Sequence, residues 1–446
     1  MDVRPIEESL EKVITKAIPG TQIQSLRAIA SPGLHQVYWA TLRDGGVILC
    51  SLPQSRNRRV LRCEYGSIRS EATILQWLSS LCGGRPKLGS SKSPAFDFED
   101  KKELRNRLRA QALSNYLPNL LEHGTIGSMQ RLQYNVISTR PGEVLASLRP
   151  PLTAAQRASV DFQIGQMLRA ISLIRSPTFQ FGNAETILPP VPERSSWEQR
   201  RRASVQMASE SFTRWSDAFG ELLNGAIQDA QSNQITASYD SIRRFHRRFA
   251  HALDAVVEPR LVLIDAGMER NVLVSLQESE SGTCDTSDGD SDFSNKSGTS
   301  DKSDPPICQV PRAKVAGLRE WTKPIFGDPL LSVVLCQTPS KNIVQGFSSP
   351  LVDTLDDMDE IAEGLSQKRQ YSQIRLNLYR VYHALNAISI EYIRRDDGSD
   401  PRELRARKAL VDAIRELEVL EEAETSKRRR RRLEVAPSKR PRTSSP

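Results

Sequence analysis

The chain has 446 residues, enough for two or three domains of ordinary size, and its hydrophobic fraction of 38% is lean for a fully packed protein. No apolar run approaches the roughly 18 residues of a membrane span, and the N-terminal MDVRPIEESLEKVI has no apolar signal region, so a soluble, intracellular protein without membrane contact is expected. The net charge of +8 is local: Lys427–Pro446 holds nine of the 62 basic residues and one of the 54 acidic ones, leaving 53 of each elsewhere, and the folded part lacks the footprint of a nucleic-acid binder.

Residues 1–20 read as a short amphipathic helix that ends at Pro19–Gly20. Several strands follow over 22–53, with Asp44–Gly45–Gly46 as a hairpin turn between VYWATL and VILCSL. Helical periodicity covers Ser67–Leu81. Residues 83–103 are rich in Gly, Ser, Pro and charge and read as a loop or insertion. The strand RLQYNVIST leads to Arg140–Pro141–Gly142, a break suited to a hinge.

Helices dominate after the hinge. Thr153 is placed to cap a long helix that runs to Ile174. Further helical stretches are 197–227, 240–257, 358–364, 370–394 and 401–424. Within them IRRFHRRFAH, residues 242–251, interleaves arginines with aromatics. Phe245 and Phe249 share a helix face, so an amphipathic helix explains the pattern better than a nucleic-acid surface. Trp197, Phe212, Trp215 and Phe219 likewise read as helical core. Residues 277–306 are Ser-, Gly- and Asp-rich, with eight acidic residues and two lysines, and are expected to be disordered. The six cysteines fall at no zinc-like spacing and the five histidines form no cluster.

The stretch PRLVLIDAGMERNVLV, residues 259–274, organises the chain. Two short apolar runs flank a polar loop with one carboxylate, Asp265, and one carboxamide, Asn271. Taken alone it is a β-hairpin with a polar turn. It is also what phosphoryl transfer of the kinase type needs, an Asp to orient the attacking hydroxyl and an Asn to hold a metal on the nucleotide phosphates.

Over roughly residues 20–395 the order of features resembles the aminoglycoside phosphotransferase and choline kinase group, in particular its divergent fungal members. RAIASPGLHQVYWATLRDGGVILC is similar to the phosphate-covering loop and nucleotide roof, and the resemblance puts Ser31 and Gly33 at the nucleotide. Glu71, in RSEATIL, resembles the helix acid that pairs with a phosphate-binding lysine. Asp265 and Asn271 match the catalytic loop. GLREWTKPIFGDPLLS resembles the metal-binding segment, with Glu320 where the metal-binding Asp stands and Gly327–Asp328–Pro329 matching a structural turn.

The resemblance implies an α+β, two-lobed, protein-kinase-like fold. Its parts would be a β-rich nucleotide-binding lobe over 1–139, a helical catalytic lobe over 140–425 and a disordered basic tail over 426–446. It implies ATP, or another nucleoside triphosphate, with Mg2+ held by Asn271 and Glu320. Asp265 would act as base on a hydroxyl of a small-molecule acceptor.

The sequence departs from the family pattern. No lysine lies between Lys16 and Lys87, so strand position 49–51 lacks its phosphate-binding cation, and only Arg56, Arg58, Arg59 and Arg62 follow closely. Leu263 stands where the family has histidine, and Asn271 comes one residue late. These departures open a second possibility, a pseudokinase acting as a nuclear interaction module. The tail KRRRRRLEVAPSKRPR, residues 427–442, has the two-cluster form of a nuclear-import signal. An import receptor is therefore an expected partner, with nucleic acid attracted only non-specifically. Outside the nucleus a cytoplasmic location is expected. Phosphorylation of serines in 277–306 would add negative charge beside the phosphate site.

Overall fold

The computed structural model describes residues 4–29, 35–53, 59–83, 98–126, 132–190, 211–277, 312–349 and 369–434. The chain is α+β and two-lobed. The small lobe is a five-stranded antiparallel sheet formed by β1 (Ile23–Ile29), β2 (His35–Leu42), β3 (Val47–Pro53), β4 (Asn119–Ile126) and β5 (Leu132–Thr139), in the order β1-β2-β3-β5-β4. Along β2 and β3 the side chains alternate between two apolar layers. Val37, Trp39, Val47 and Leu49 pack on helix α2 (Ser67–Gly83) through Ile74, Leu75 and Leu78. Tyr38, Ala40, Ile48 and Cys50 pack on helix α1 (Arg4–Ala17) through Leu10 and Ile14. With both faces covered, six of the seven β3 residues are buried. The Asp44–Gly45–Gly46 turn forms as expected: Gly45 has φ +82°, and the Gly46 N–H donates to Asp44 Oδ1 at 2.9 Å.

The expected loop over 83–103 is helical at its end. Helix α3 (Phe98–Leu113) begins inside it, and residues 84–97 lie outside the described ones. Helix α4 (Ala154–Leu173) starts on the expected cap: Thr153 Oγ1 accepts from the Gln156 N–H at 3.3 Å and Gln156 Oε1 accepts from the Thr153 N–H at 2.9 Å. The expected helix over 197–227 is corrected, with 191–210, including Trp197, outside the described residues. The helix there is Trp215–Ser232, and Phe212 forms a β-bridge with Phe181 instead of a helical turn. The basic segment is a helix, Tyr239–Arg248, with Phe245 and Phe249 fully buried and their rings 6.3 Å apart. These rings serve the core, where they meet the long helix Arg369–Ile393. The expected helix 358–364 and, apart from Gln277 at the end of β9, the expected insertion 277–306 lie outside the described residues.

The stretch 259–274 is not a hairpin. Strand β8 (Arg260–Leu263) pairs antiparallel with β11 (Pro324–Gly327), which also pairs with β7 (Gly182–Asn183). Strand β9 (Val272–Gln277) pairs instead with β10 (Arg312–Leu318) and with β6 (Glu143–Val144). Two connections therefore cross side by side between two three-stranded sheets, 264–271 in one direction and 319–323 in the other. Asp265 and Asn271 sit on the first, Glu320 and Lys323 on the second. Among the described residues no helix is long and apolar enough to cross a membrane, and no disulfide forms, Cys50, Cys63, Cys82 and Cys336 being free.

Candidate active site

The turn after β8 is built by its own backbone. The Ala266 N–H donates to Leu263 O at 3.1 Å, the Met268 N–H to Asp265 O at 3.3 Å and the Asn271 N–H to Met268 O at 2.7 Å. Gly267 adopts φ +82°, and a Cβ there would lie 3.1 Å from Ile164 and 3.2 Å from Val334, so packing on α4 and the left-handed backbone both favour glycine. Asp265 is thereby held with its side chain 19% exposed, between two cations: Lys323 Nζ is 3.5 Å from Oδ2 and an Arg270 guanidinium nitrogen 3.6 Å from Oδ1. Burial alone would raise the Asp265 pKa, but the Lys323 and Arg270 charges outweigh it and hold the carboxyl below its ordinary value. It is ionised at neutral pH.

Asn271 is buried, and both ends of its carboxamide are engaged by backbone. Oδ1 accepts from the Glu320 N–H at 2.9 Å, while Nδ2 donates to Glu320 O at 3.0 Å and to Asp265 O at 3.4 Å. It ties the two crossing connections together. Glu320 Oε1 accepts from Arg319 at 2.9 Å, and Oε2 lies 3.8 Å from His35 Nδ1. Burial opposes ionisation of Glu320, yet His35 and Arg319 keep its pKa below the ordinary value.

These donors do not fit a magnesium ion. The metal takes hard oxygens in a near-ideal octahedron, but Glu320 already accepts from Arg319, Asp265 lies between Lys323 and Arg270, and the Asn271 carboxamide oxygen already accepts an N–H. Among the described residues no three His, Cys, Asp or Glu side chains converge on a metal position.

Glu71 is fully buried. Its Oε1 accepts from the Trp321 N–H at 2.7 Å and Oε2 from Asn135 Nδ2 at 2.8 Å, and burial raises its pKa. Asn135 on β5 pairs with Ser51 on β3. Ser51 thus stands where a phosphate-binding lysine was sought, and its buried hydroxyl has no hydrogen-bond partner among the described residues. Arg56 and Arg58 lie outside the described residues, and Arg62 turns away to Gln228 (2.8 Å) and Asp229 (3.6 Å). Ser31 and Gly33 also lie outside the described residues. Gly327 passes so near Trp215 that a Cβ would come within 2.4 Å of the ring. Asp328 is structural: it accepts from the Leu330 N–H at 3.1 Å and from Arg375 Nε and Tyr379 Oη, each at 2.8 Å.

Sequence reasoning passed over several residues of the site. Lys323 lies inside the segment chosen for Glu320, and nothing marked it except its place three residues on. His35, Arg270 and Arg319 carried no spacing signal. Neither did Cys63 and Glu64, which the segment 59–65 presses against the large lobe. There the Glu64 carboxylate accepts from the Leu61 N–H at 2.9 Å and from two nitrogens of Arg394, one at 2.9 Å. Cys63 Sγ lies 3.7 Å from Asn386 Oδ1, and burial pushes its thiol pKa up to about 11.

No family model and no curated protein matches the sequence. Among solved structures, the chain is similar to a Thermobifida fusca protein assigned as a fructosamine-3-kinase, with 13% identity over 92% of this chain and 98% of that one and a TM-score of 0.43. It is similar to a Ralstonia eutropha protein assigned as an aminoglycoside phosphotransferase, with 10% identity, the same two coverages and a TM-score of 0.42. It is also similar to a spectinomycin phosphotransferase in complex with ADP and spectinomycin, with 12% identity over 93% and 98% and a TM-score of 0.37. At such scores the likeness carries no weight about activity, and function is read from the side chains.

Proposed function

We propose that this chain is a phosphotransferase-like protein that keeps the acceptor-orienting carboxylate, Asp265, without the means to hold magnesium–ATP, and that it works as a binding module rather than as a kinase. One observation carries this. The groups a metal would need are already engaged: both ends of the Asn271 carboxamide bond the Glu320 backbone, and the Glu320 carboxylate accepts from Arg319 and lies beside His35. Catalysis in such sites is positioning plus charge neutralisation, and Ser51 adds no charge. The basic tail supports a nuclear location and an import receptor as partner. The decisive experiment is a melting scan with ATP, with and without magnesium, beside an assay for ATP consumption across a panel of small-molecule alcohols. No magnesium-dependent shift and no turnover are expected. A magnesium-dependent shift that Glu320→Ala abolishes would overturn the proposal.

A second reading, ATP-dependent phosphorylation of a small-molecule hydroxyl, is favoured by a specific observation. Asp265 is held ionised beside an ammonium group, as a base that orients a hydroxyl requires. Turnover lost in Asp265→Asn would establish it.

A further inference from the structure

Two cations converge on one carboxylate at Asp265. Lys323 and Arg270 both lie against the single Asp265 carboxylate, at 3.5 and 3.6 Å, and one carboxylate cannot cancel two cations. Nearby, Glu64 pairs with Arg394 and Glu320 with Arg319, and Glu71 is turned onto Asn135 and the Trp321 N–H. His383, which also faces Asp265, is neutral at physiological pH because burial lowers its pKa to about 4. Cys63, behind Lys323, stays a thiol. Asp265 is thus shared between two cations whose side chains are 15% and 50% exposed.

The backbone holds one of these cations in place at a conformational cost. Lys323 has φ +54°, a left-handed conformation that side-chain-bearing residues rarely adopt. It sits between the buried Trp321 and strand β11, whose register with β8 fixes the direction of the turn. Strain kept at a cleft residue by its surroundings points to a site. Among the described residues strand β3 offers no such cation, since Ser51 is uncharged, and Glu71 is engaged by Asn135 and the Trp321 N–H.

We propose that Lys323 and Arg270 form a metal-independent subsite for the phosphate group of a small phosphorylated ligand, with the charge delivered from the large lobe instead of from strand β3. Lys323 Nζ, a compact point charge, and the Arg270 guanidinium, a planar fork, would bind two of the phosphate oxygens. Asp265 between them limits the charge. This deepens the binding-module proposal by naming a ligand class, and it stands or falls separately from it.

The test is calorimetric titration of the full chain in EDTA with inorganic tripolyphosphate, ATP and adenosine. Tripolyphosphate and ATP are expected to bind. Lys323→Met and Arg270→Met should each weaken them by about tenfold or more, the worth of one charge-assisted hydrogen bond. Lys323→Arg should keep most of the affinity. Asp265→Asn should tighten phosphate binding, because it leaves two uncancelled cations. Adenosine, having no phosphate, should be indifferent to all four substitutions. Absence of phosphate binding by the wild-type chain in EDTA would overturn the proposal, and so would an unchanged affinity in a folded Lys323→Met variant. If Lys323→Met does not fold, Asp265→Asn decides: equal or weaker binding refutes the subsite. Magnesium-dependent turnover by the wild type would refute the binding-module proposal and leave this one untouched.

Discussion

The pair Glu64–Arg394 offers the sharpest test of how the lobes are held together. Glu64 lies on the segment that leaves the small-lobe sheet, and Arg394 lies just beyond the end of helix Arg369–Ile393 in the large lobe. Their side chains are only 2% and 3% exposed. Each is satisfied beyond the ion pair, Glu64 by the Leu61 N–H and Arg394 by Arg59 O at 3.2 Å. Removing one partner strands a buried charge, so Glu64→Met or Arg394→Met should each cost about 3–5 kcal/mol. The double substitution strands no charge and leaves mainly the Leu61 N–H unpaired, a cost of about 1–3 kcal/mol. The double-mutant cycle should therefore show coupling of at least about 2 kcal/mol. Urea unfolding gives the energies, and hydrogen exchange over 59–83 shows whether the segment lifts off. Burial alone would raise the Glu64 pKa, but the Arg394 hydrogen bond and nearby charges lower it. The pair is thus fully stabilising above the ordinary carboxylate value of 4.5 and is lost as pH falls through the lowered one. A cost for Arg394→Met below about 1 kcal/mol, or a double variant that merely sums the singles, would refute the reasoning.

Three further outcomes are expected. Gly346→Ala would push a Cβ to 2.0 Å from Phe162 O where helix Lys341–Ser348 meets α4, so the variant should lose about 1–3 kcal/mol or more in urea unfolding. Asp328→Ala would leave Arg375, with a side chain 8% exposed, without its carboxylate and should cost about 3–5 kcal/mol, whereas Tyr379→Phe, which keeps the ion pair but leaves the buried Trp215 indole N–H without its acceptor, should cost about 1–3 kcal/mol. His383 donates to Leu331 O at 2.7 Å, and burial holds its pKa at about 4 against an ordinary 6.5. Between those values the unfolded chain binds the extra proton, so stability should rise with pH across that window; in His383→Gln the slope of urea midpoint against pH should shrink, and an unchanged slope would refute the assignment.

What the sequence disclosed was local. The Thr153–Gln156 capping box, the Asp44–Gly45–Gly46 turn and the amphipathic helix Tyr239–Arg248 are each decided within a few residues, by a hydroxyl, a missing Cβ and a 3.6-residue period. What it hid was long-range. Strand β8 read as the partner of β9 because β9 is next in the chain and both are short and apolar. Its real partner β11 lies some sixty residues on, and no periodicity reports that. The site suffers from the same limit. Asp265, Asn271 and Glu320 could be placed because the resemblance supplied their order. Lys323, Arg270 and His35 became visible only when the two connections between the small sheets were seen to cross side by side.

The missing strand lysine also changes what Glu71 is for. An acid kept only to pair with a lysine would have no reason to stay fully buried once Ser51 stood across from it, since an isolated buried carboxylate is costly. Glu71 stays because its two oxygens have other duties, one on Asn135 of the sheet and one on the backbone of Trp321 beside Glu320. It joins helix α2 to the crossing connection and so fixes the small lobe over Asp265 whether or not a nucleotide binds. In that role, Glu71→Gln, which still offers an oxygen to the Trp321 N–H, should keep more stability than Glu71→Ala, which leaves that N–H unpaired at about 1–3 kcal/mol and Asn135 with Ile68 O as the remaining acceptor for its amide N–H groups. Equal losses in the two variants would mean that the charge of Glu71, rather than its oxygens, is what the fold requires.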